Sequence, residues 1–172
     1  ASDVYKRQAE CYKYLNMMSR YLDVTKQAYR FCCTRATMAR YYRNMGFYYL
    51  SSYNTDMAKA CYTYSNIYYH TDNADSELNY IENALKEAKD KGVTKDDKEY
   101  DIRTMQAMFD KENVEPGPDS KTIGIVYRVG ELMLQDKEYA LAKDCFSIVY
   151  DITNEQQLEG VLAELDRCLE NA

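Results

Sequence analysis

Residues Ala39 to Tyr69, ARYYRNMGFYYLSSYNTDMAKACYTYSNIYY, read as two antiparallel helices joined by the polar turn SSYNT, Ser51 to Thr55. Asn54 or Thr55 stands where the second helix needs an N-cap, and Met57, Cys61, Tyr64, Ile67 and Tyr68 follow at helical spacing as its inward stripe. The pattern of this pair returns near the C-terminus. Tyr42, Met45-Gly46, Tyr49, Ala58, Tyr62 and Ser65 are answered at identical offsets by Val126, Val129-Gly130, Met133, Ala142, Phe146 and Val149. Glycine on the first helix and alanine on the second allow close approach, and the ring of Tyr62 or Phe146 fills the seam.

Composition agrees with helices throughout. Only two prolines and six glycines interrupt the 172 residues, and the prolines sit together at Pro116 and Pro118. A chain that is 46% hydrophobic is too apolar for disorder, and its apolar runs are too short to span a membrane. Tyrosine, with 19 copies and no tryptophan beside it, suits helix seams, where the ring packs and the hydroxyl can reach water. Aromatic packing explains these rings more simply than a ligand box does. Charge is divided: Ala9 to Leu50 carries seven Lys and Arg against two acids, whereas Ser51 onward carries 13 against 25. The overall balance of −6 is unfavourable for nucleic acid, since phosphate neutralisation needs a broad basic face and only the N-terminal part offers one, so no direct nucleic-acid binding is expected.

The octapeptide Ala1 to Gln8, ASDVYKRQ, resembles the translation of a transposon adapter used for sequencing libraries and is set aside as non-native. The natural part is then residues 9–172 of a metagenomic fragment whose true start lies upstream. Tyr12, Leu15, Met18 and Leu22 predict a first helix over Ala9 to Leu22, and helical spacing continues from Val24 to Leu50 with Thr34-Arg35 as the best interruption. Whether that stretch is one helix or two stays open. Asn73 or Asp75 would cap a helix from Ser76 to Lys91, with Leu78, Ile81 and Leu85 inward and Gly92 at its end. Thr94 to Asp97 reads as a weak capping box for Lys95 to Glu112, with Ile102, Met105 and Phe109 inward. VEPGPDS, Val114 to Ser120, is the one clear loop and a candidate sub-boundary. Thr122 to Gln135 and Tyr139 to Asp151 form the second pair, and Asn154 would cap a last helix whose acidic outer face suits the end of a stack.

Six cysteines at positions 11, 32, 33, 61, 145 and 168 contain no CxxC spacing, and His70 is the single histidine. Small apolar packing residues are the simpler reading of all six, with Cys32-Cys33 as a buried helical pair; metal, disulfide and redox-switch roles have less support. Free thiols point mildly to a reducing, cytoplasmic setting. No Gly-rich phosphate loop, nucleophile elbow or second histidine supports catalysis, so no enzymatic activity and no cofactor are expected.

The offsets around Gly46, Ala58 and Tyr62 and around Gly130, Ala142 and Phe146 resemble the tetratricopeptide repeat. That resemblance implies an all-α fold, a right-handed superhelical array of antiparallel helix pairs, or α-solenoid. Its departures are the 84-residue separation of Gly46 and Gly130, which is no multiple of the usual repeat of about 34, and His70 where a closing proline often stands. ENALKEA, Glu82 to Ala88, is similar to the second helix of a unit. AKACYTYSNIYY and YRVGELMLQDKEYALAKDCF also resemble parts of a bacterial family that joins a cysteine-rich N-terminal segment to degenerate helices of this kind; membership would mean that the segment was lost with the start of the chain. The repeat family lines its groove with the first helix of each pair. The resemblance therefore implies partner contacts at Arg40, Arg43, Asn44 and Phe47, and at Tyr127, Arg128 and Glu131. The implied function is a non-enzymatic scaffold for a protein or peptide, one bearing acidic residues or a C-terminal carboxylate. The alternative is a peptide-sensing domain of a regulatory protein whose effector unit is missing. A solvated basic face, or one paired with the acidic C-terminal part, is the plain competing account of the arginines.

Overall fold

The computed structural model describes residues 2–93, 99–118 and 120–171, and among them every regular element is helical. The chain divides into two compact units, one ending at Pro116 and the other beginning at Gly117. In the first, α1 (Ser2–Tyr14), α2 (Met18–Ala28), a short 3-10 turn (Tyr29–Phe31), α3 (Arg35–Ser51), α4 (Thr55–Tyr68), α5 (Asp72–Asp90) and α6 (Ile102–Lys111) follow in order. The second contains α7 (Ser120–Gln135), α8 (Tyr139–Thr153) and α9 (Gln157–Glu170).

Helix ends depart from the sequence reading where short polar side chains had two roles open to them. The helix expected over Ala9 to Leu22 is two. α1 begins already at Ser2, running unbroken through the adapter-like octapeptide, and Asn16 takes a left-handed φ of 54° that turns the chain into α2. Asparagine tolerates that conformation, and the Met17 N–H closes the turn on the Tyr12 carbonyl at 2.8 Å. Leu15, expected inward, is 67% exposed as a result. The Val24 to Leu50 stretch is broken before Thr34, whose hydroxyl accepts from Thr37 N at 3.1 Å while the Thr37 side chain answers the Thr34 N–H at 3.0 Å. Cys32 and Cys33 fall in that break and are not a helical pair.

Asn54 caps α4, but Thr71, not Asn73 or Asp75, caps α5, accepting from Ala74 N at 3.2 Å. α5 therefore starts at Asp72, and Gly92 follows its end with a φ of 73°. α6 is shorter than the expected Lys95 to Glu112: Asp101 caps it by accepting from Thr104 N at 2.7 Å, and Ile102 is exposed while Met105 and Phe109 are buried. The Thr94 to Asp97 box lies outside the described residues. Asn154 does not cap α9; it ends α8 in the left-handed conformation, its N–H 2.7 Å from the Tyr150 carbonyl. Ile67 also faces outward, so the buried residues of α4 are Met57, Ala58, Ala60, Cys61, Tyr62, Tyr64 and Ser65.

Both helix pairs are built on the same close contact. A Cβ placed on Gly46 of α3 would lie 2.8 Å from Cδ2 and Cε2 of Tyr62 on α4. One on Gly130 of α7 would lie 3.0 Å from Cε1 of Phe146 and 3.1 Å from Cβ of Cys145 on α8. Ala58 and Ala142 are fully buried on the facing helices. In the first pair Ser65 Oγ also donates to the Ala39 carbonyl at 2.8 Å, satisfying a hydroxyl with no access to solvent; Val149 replaces it in the second.

An aromatic cluster extends the first seam. Tyr42 of α3 packs on Tyr64 at 4.8 Å between ring centroids and on Phe109 of α6 at 5.6 Å, and Tyr64 meets Phe109 edge-on at 5.0 Å. The hydroxyls of these rings hold the segment that follows α6. Tyr42 donates to the Glu115 carbonyl at 2.5 Å, Tyr64 to the Pro116 carbonyl at 2.7 Å, and Tyr41 to the Glu115 carboxylate, while Val114 is buried beneath them. Burial, reinforced by neighbouring phenols around Tyr42 and by Glu115 beside Tyr41, raises both hydroxyls well above the ordinary phenol range, so they remain donors.

The four glycines inside helices should therefore respond to alanine with opposite signs. Gly46→Ala drives a methyl into a ring that is itself buried and should cost about 1–2 kcal/mol after the gain in helix propensity. Gly130→Ala should cost less, about 0–1 kcal/mol, because the clash is a few tenths of an ångström smaller. Gly124→Ala and Gly160→Ala meet open space and should stabilise by about 0.5–1 kcal/mol. Urea unfolding of the four variants gives the comparison. In the same assay Tyr42→Phe, which strips the Glu115 carbonyl of a buried donor, should cost about 1–3 kcal/mol.

Candidate binding site

The face of α3 that turns away from the aromatic cluster carries Arg40, Arg43, Asn44 and Phe47, at spacings of three, one and three. All four side chains are half-buried, because α1 and α2 pack beside them. Ala9 of α1 and Tyr21 and Val24 of α2 form a small core with Phe47 and Tyr48 at its edge. The Tyr21 ring meets Phe47 edge-on at 5.6 Å, and Lys13 Nζ stands 4.2 Å from the centre of the Phe47 ring. Phe47, implied as a groove contact, is thus part of the packing between helices. A lysine over an aromatic face contributes about 0.5–1 kcal/mol at such partly exposed sites.

Arg40, Arg43, Asn44 and Phe47 line one cavity of about 340 Å³. Its other walls include Lys6, Glu10 and Lys13 of α1, Tyr21 of α2, Tyr62 of α4 and Asn73 and Glu77 of α5. Burial and the neighbouring Arg40 both lower the pKa of the Arg43 guanidinium. An arginine does not deprotonate in response, so the guanidinium stays charged. The Tyr62 hydroxyl is pushed far up by burial and, after that, by Glu77, so it is a neutral donor in this setting.

The second implied set lies in the other unit. Tyr127 packs its ring edge-on against Phe146 at 5.4 Å while remaining exposed, and Arg128 Nη1 pairs with Glu131 Oε2 at 3.1 Å along the surface of α7. An exposed pair of this kind contributes about 0–1 kcal/mol and is easily exchanged for a partner's charge. These three residues share a helix surface, but none lines the cavity that gathers the α3 set.

The cavity also contains residues that sequence alone does not mark for binding. Lys13, Tyr21, Tyr62 and Glu77 reach it from four different helices, and no local spacing marks them as partners. His70, the single histidine, is exposed and bonded through Nε2 to Asp75 Oδ2 at 2.7 Å; the Asn66 amide donates to the other oxygen of the same carboxylate at 3.0 Å. The arrangement ties the α4–α5 turn together. Among the described residues no group of three His, Cys, Asp or Glu side chains is placed to hold a metal ion, and no helix is long and apolar enough to cross a membrane.

The six thiols are free, yet they are not all packing residues. Cys61 is fully buried, Cys32, Cys145 and Cys168 are half-buried, and Cys11 and Cys33 are exposed. Burial, with a lesser push from Cys33, raises the Cys32 thiol to about 11. Comparison of the chain with protein-family models, with curated proteins and with solved structures gives no match.

Thiol labelling reads out this arrangement directly. In the native protein at pH 8, iodoacetamide should modify Cys11 and Cys33 first. Cys32 should lag its neighbour, because its reactive thiolate becomes abundant only as the pH approaches 11. Cys61 should stay unlabelled until the first unit unfolds, and peptide mass mapping against time would show the order.

Proposed function

We propose that the protein is a non-enzymatic interaction scaffold of tetratricopeptide-like helix pairs that receives an acidic peptide segment of a partner. The observation that carries this reading is the repeated seam: Gly46 against Tyr62 and Gly130 against Phe146 place two helix pairs on one design. In the tetratricopeptide repeat, which this pattern resembles, the first helix of each pair keeps a face for a ligand. On α3 that face offers Arg40, Arg43 and Asn44 beside an open cavity, and on α7 it offers Tyr127, Arg128 and Glu131 at the surface. Guanidinium groups bind carboxylates by paired, charge-assisted hydrogen bonds, which suits a partner rich in Asp and Glu. Stacking of the pairs into a right-handed array, with α9 as the polar end, belongs to the same proposal.

Selection from a displayed peptide library, followed by affinity measurement, tests it. Enriched peptides should be acidic, and Arg40→Glu combined with Arg43→Glu should weaken them by about tenfold or more. A library that yields no enriched sequence, or peptides that bind the charge-reversed protein as well as the original, would overturn the reading.

A further inference from the structure

Two polar groups in the walls between α1, α2 and α3 are buried without a hydrogen-bond partner among the described residues. One is Nη1 of Arg43; the other is Oγ1 of Thr25, a residue only 2% exposed. Each borders empty space. Arg43 lines the cavity of about 340 Å³, Thr25 lines a second of about 40 Å³, and Arg40 and Asn44 belong to the walls of both. A buried donor left unpaired costs about 1–3 kcal/mol, and more when it carries charge.

Water in the larger cavity would meet the geometric need of Arg43 but would leave cations in excess. Lys13, Arg40 and Arg43 line it with Glu10 and Glu77, and Lys6, inside the adapter-like octapeptide, adds a further cation. Burial and, after it, the nearby Arg40 disfavour the charge on Arg43, an effect that an anion in the cavity would oppose. The volume lies within the range of about 300–1,000 Å³ usual for small-ligand sites. We infer that the cavity bounded by Arg40, Arg43, Asn44 and Lys13 binds a small oxyanion, a carboxylate or phosphate group, through the two guanidinium groups. Asn44 supplies a neutral amide donor on the same helix. The inference stands apart from the scaffold reading, since a free anion would bind here whether or not a peptide partner exists.

Calorimetric titration of the whole chain with inorganic phosphate and, separately, with succinate at constant ionic strength tests it. At least one should show saturable single-site binding, and which one responds assigns the site to phosphate or carboxylate. Arg43→Gln should weaken that binding by about tenfold or more, Arg40→Gln should act in the same direction, and Arg103→Gln, on the exposed surface of α6, should leave it unchanged. Should Arg43→Gln fail to fold, Arg40→Gln and the urea midpoint of the original protein decide. That midpoint should rise with the binding anion and not with sodium chloride of equal ionic strength. Absence of saturable binding to either anion, or equal binding by the glutamine variants, would overturn the inference.

Discussion

The missing side chain at Gly46 is the constraint on which the first unit depends. It lets the Tyr62 ring lie against the backbone of α3, and that approach brings Tyr42 and Tyr64 to 4.8 Å from each other and both within reach of Phe109 on α6. A larger residue would push α4 outward and loosen every ring contact beyond it, since a packed interior passes a displacement on to its neighbours. Gly130 and Phe146 repeat the contact with smaller partners, and the cluster around Ala142, Phe146 and Val149 is correspondingly smaller.

The same approach shapes the cavity. Tyr62 closes the seam with its ring and reaches the cavity wall as well, so the residue that packs α3 against α4 also helps define the space beside Arg43. Packing and polarity therefore meet on one side chain. α1 and α2 complete the enclosure, and Ala9 is nearly inaccessible because the small core of α1 and α2 gathers around it. The positive face of α3 is consequently half-buried where a simple groove would leave it open.

The helix-pair core was legible in the sequence because its signal is local: a glycine, an alanine and a ring at fixed offsets, repeated once. Helix ends were less so. Asn16 and Asn154 end helices in the left-handed conformation, Thr71 begins one, and from sequence either role is open to such residues. Of the candidate site, the stripe from Arg40 to Phe47 follows from helical spacing, whereas its covering by Lys13 and Tyr21 depends on the path of the chain through Asn16. Thr25 carries no signal at all, being one threonine among several polar residues on a helix. The tyrosine hydroxyls were expected to reach water; those of Tyr41, Tyr42 and Tyr64 instead find protein partners 52 to 74 positions away along the chain, beyond the reach of any local pattern.

That last feature bears on the order in which the protein is made. The phenols of Tyr41, Tyr42 and Tyr64 end on Glu115 and Pro116, the final residues of the first unit, with Val114 buried beside them. On a ribosome, α3 and α4 can pair as soon as they emerge, since their contacts are short in sequence. Their hydroxyls would stay bonded to water until a stretch of backbone synthesised much later replaces it, and the unit cannot complete its core before Pro116 is free. Until then the ring faces that Phe109 covers would remain open to solvent. Vulnerability to aggregation would be concentrated in that interval of synthesis and would end with the arrival of three residues.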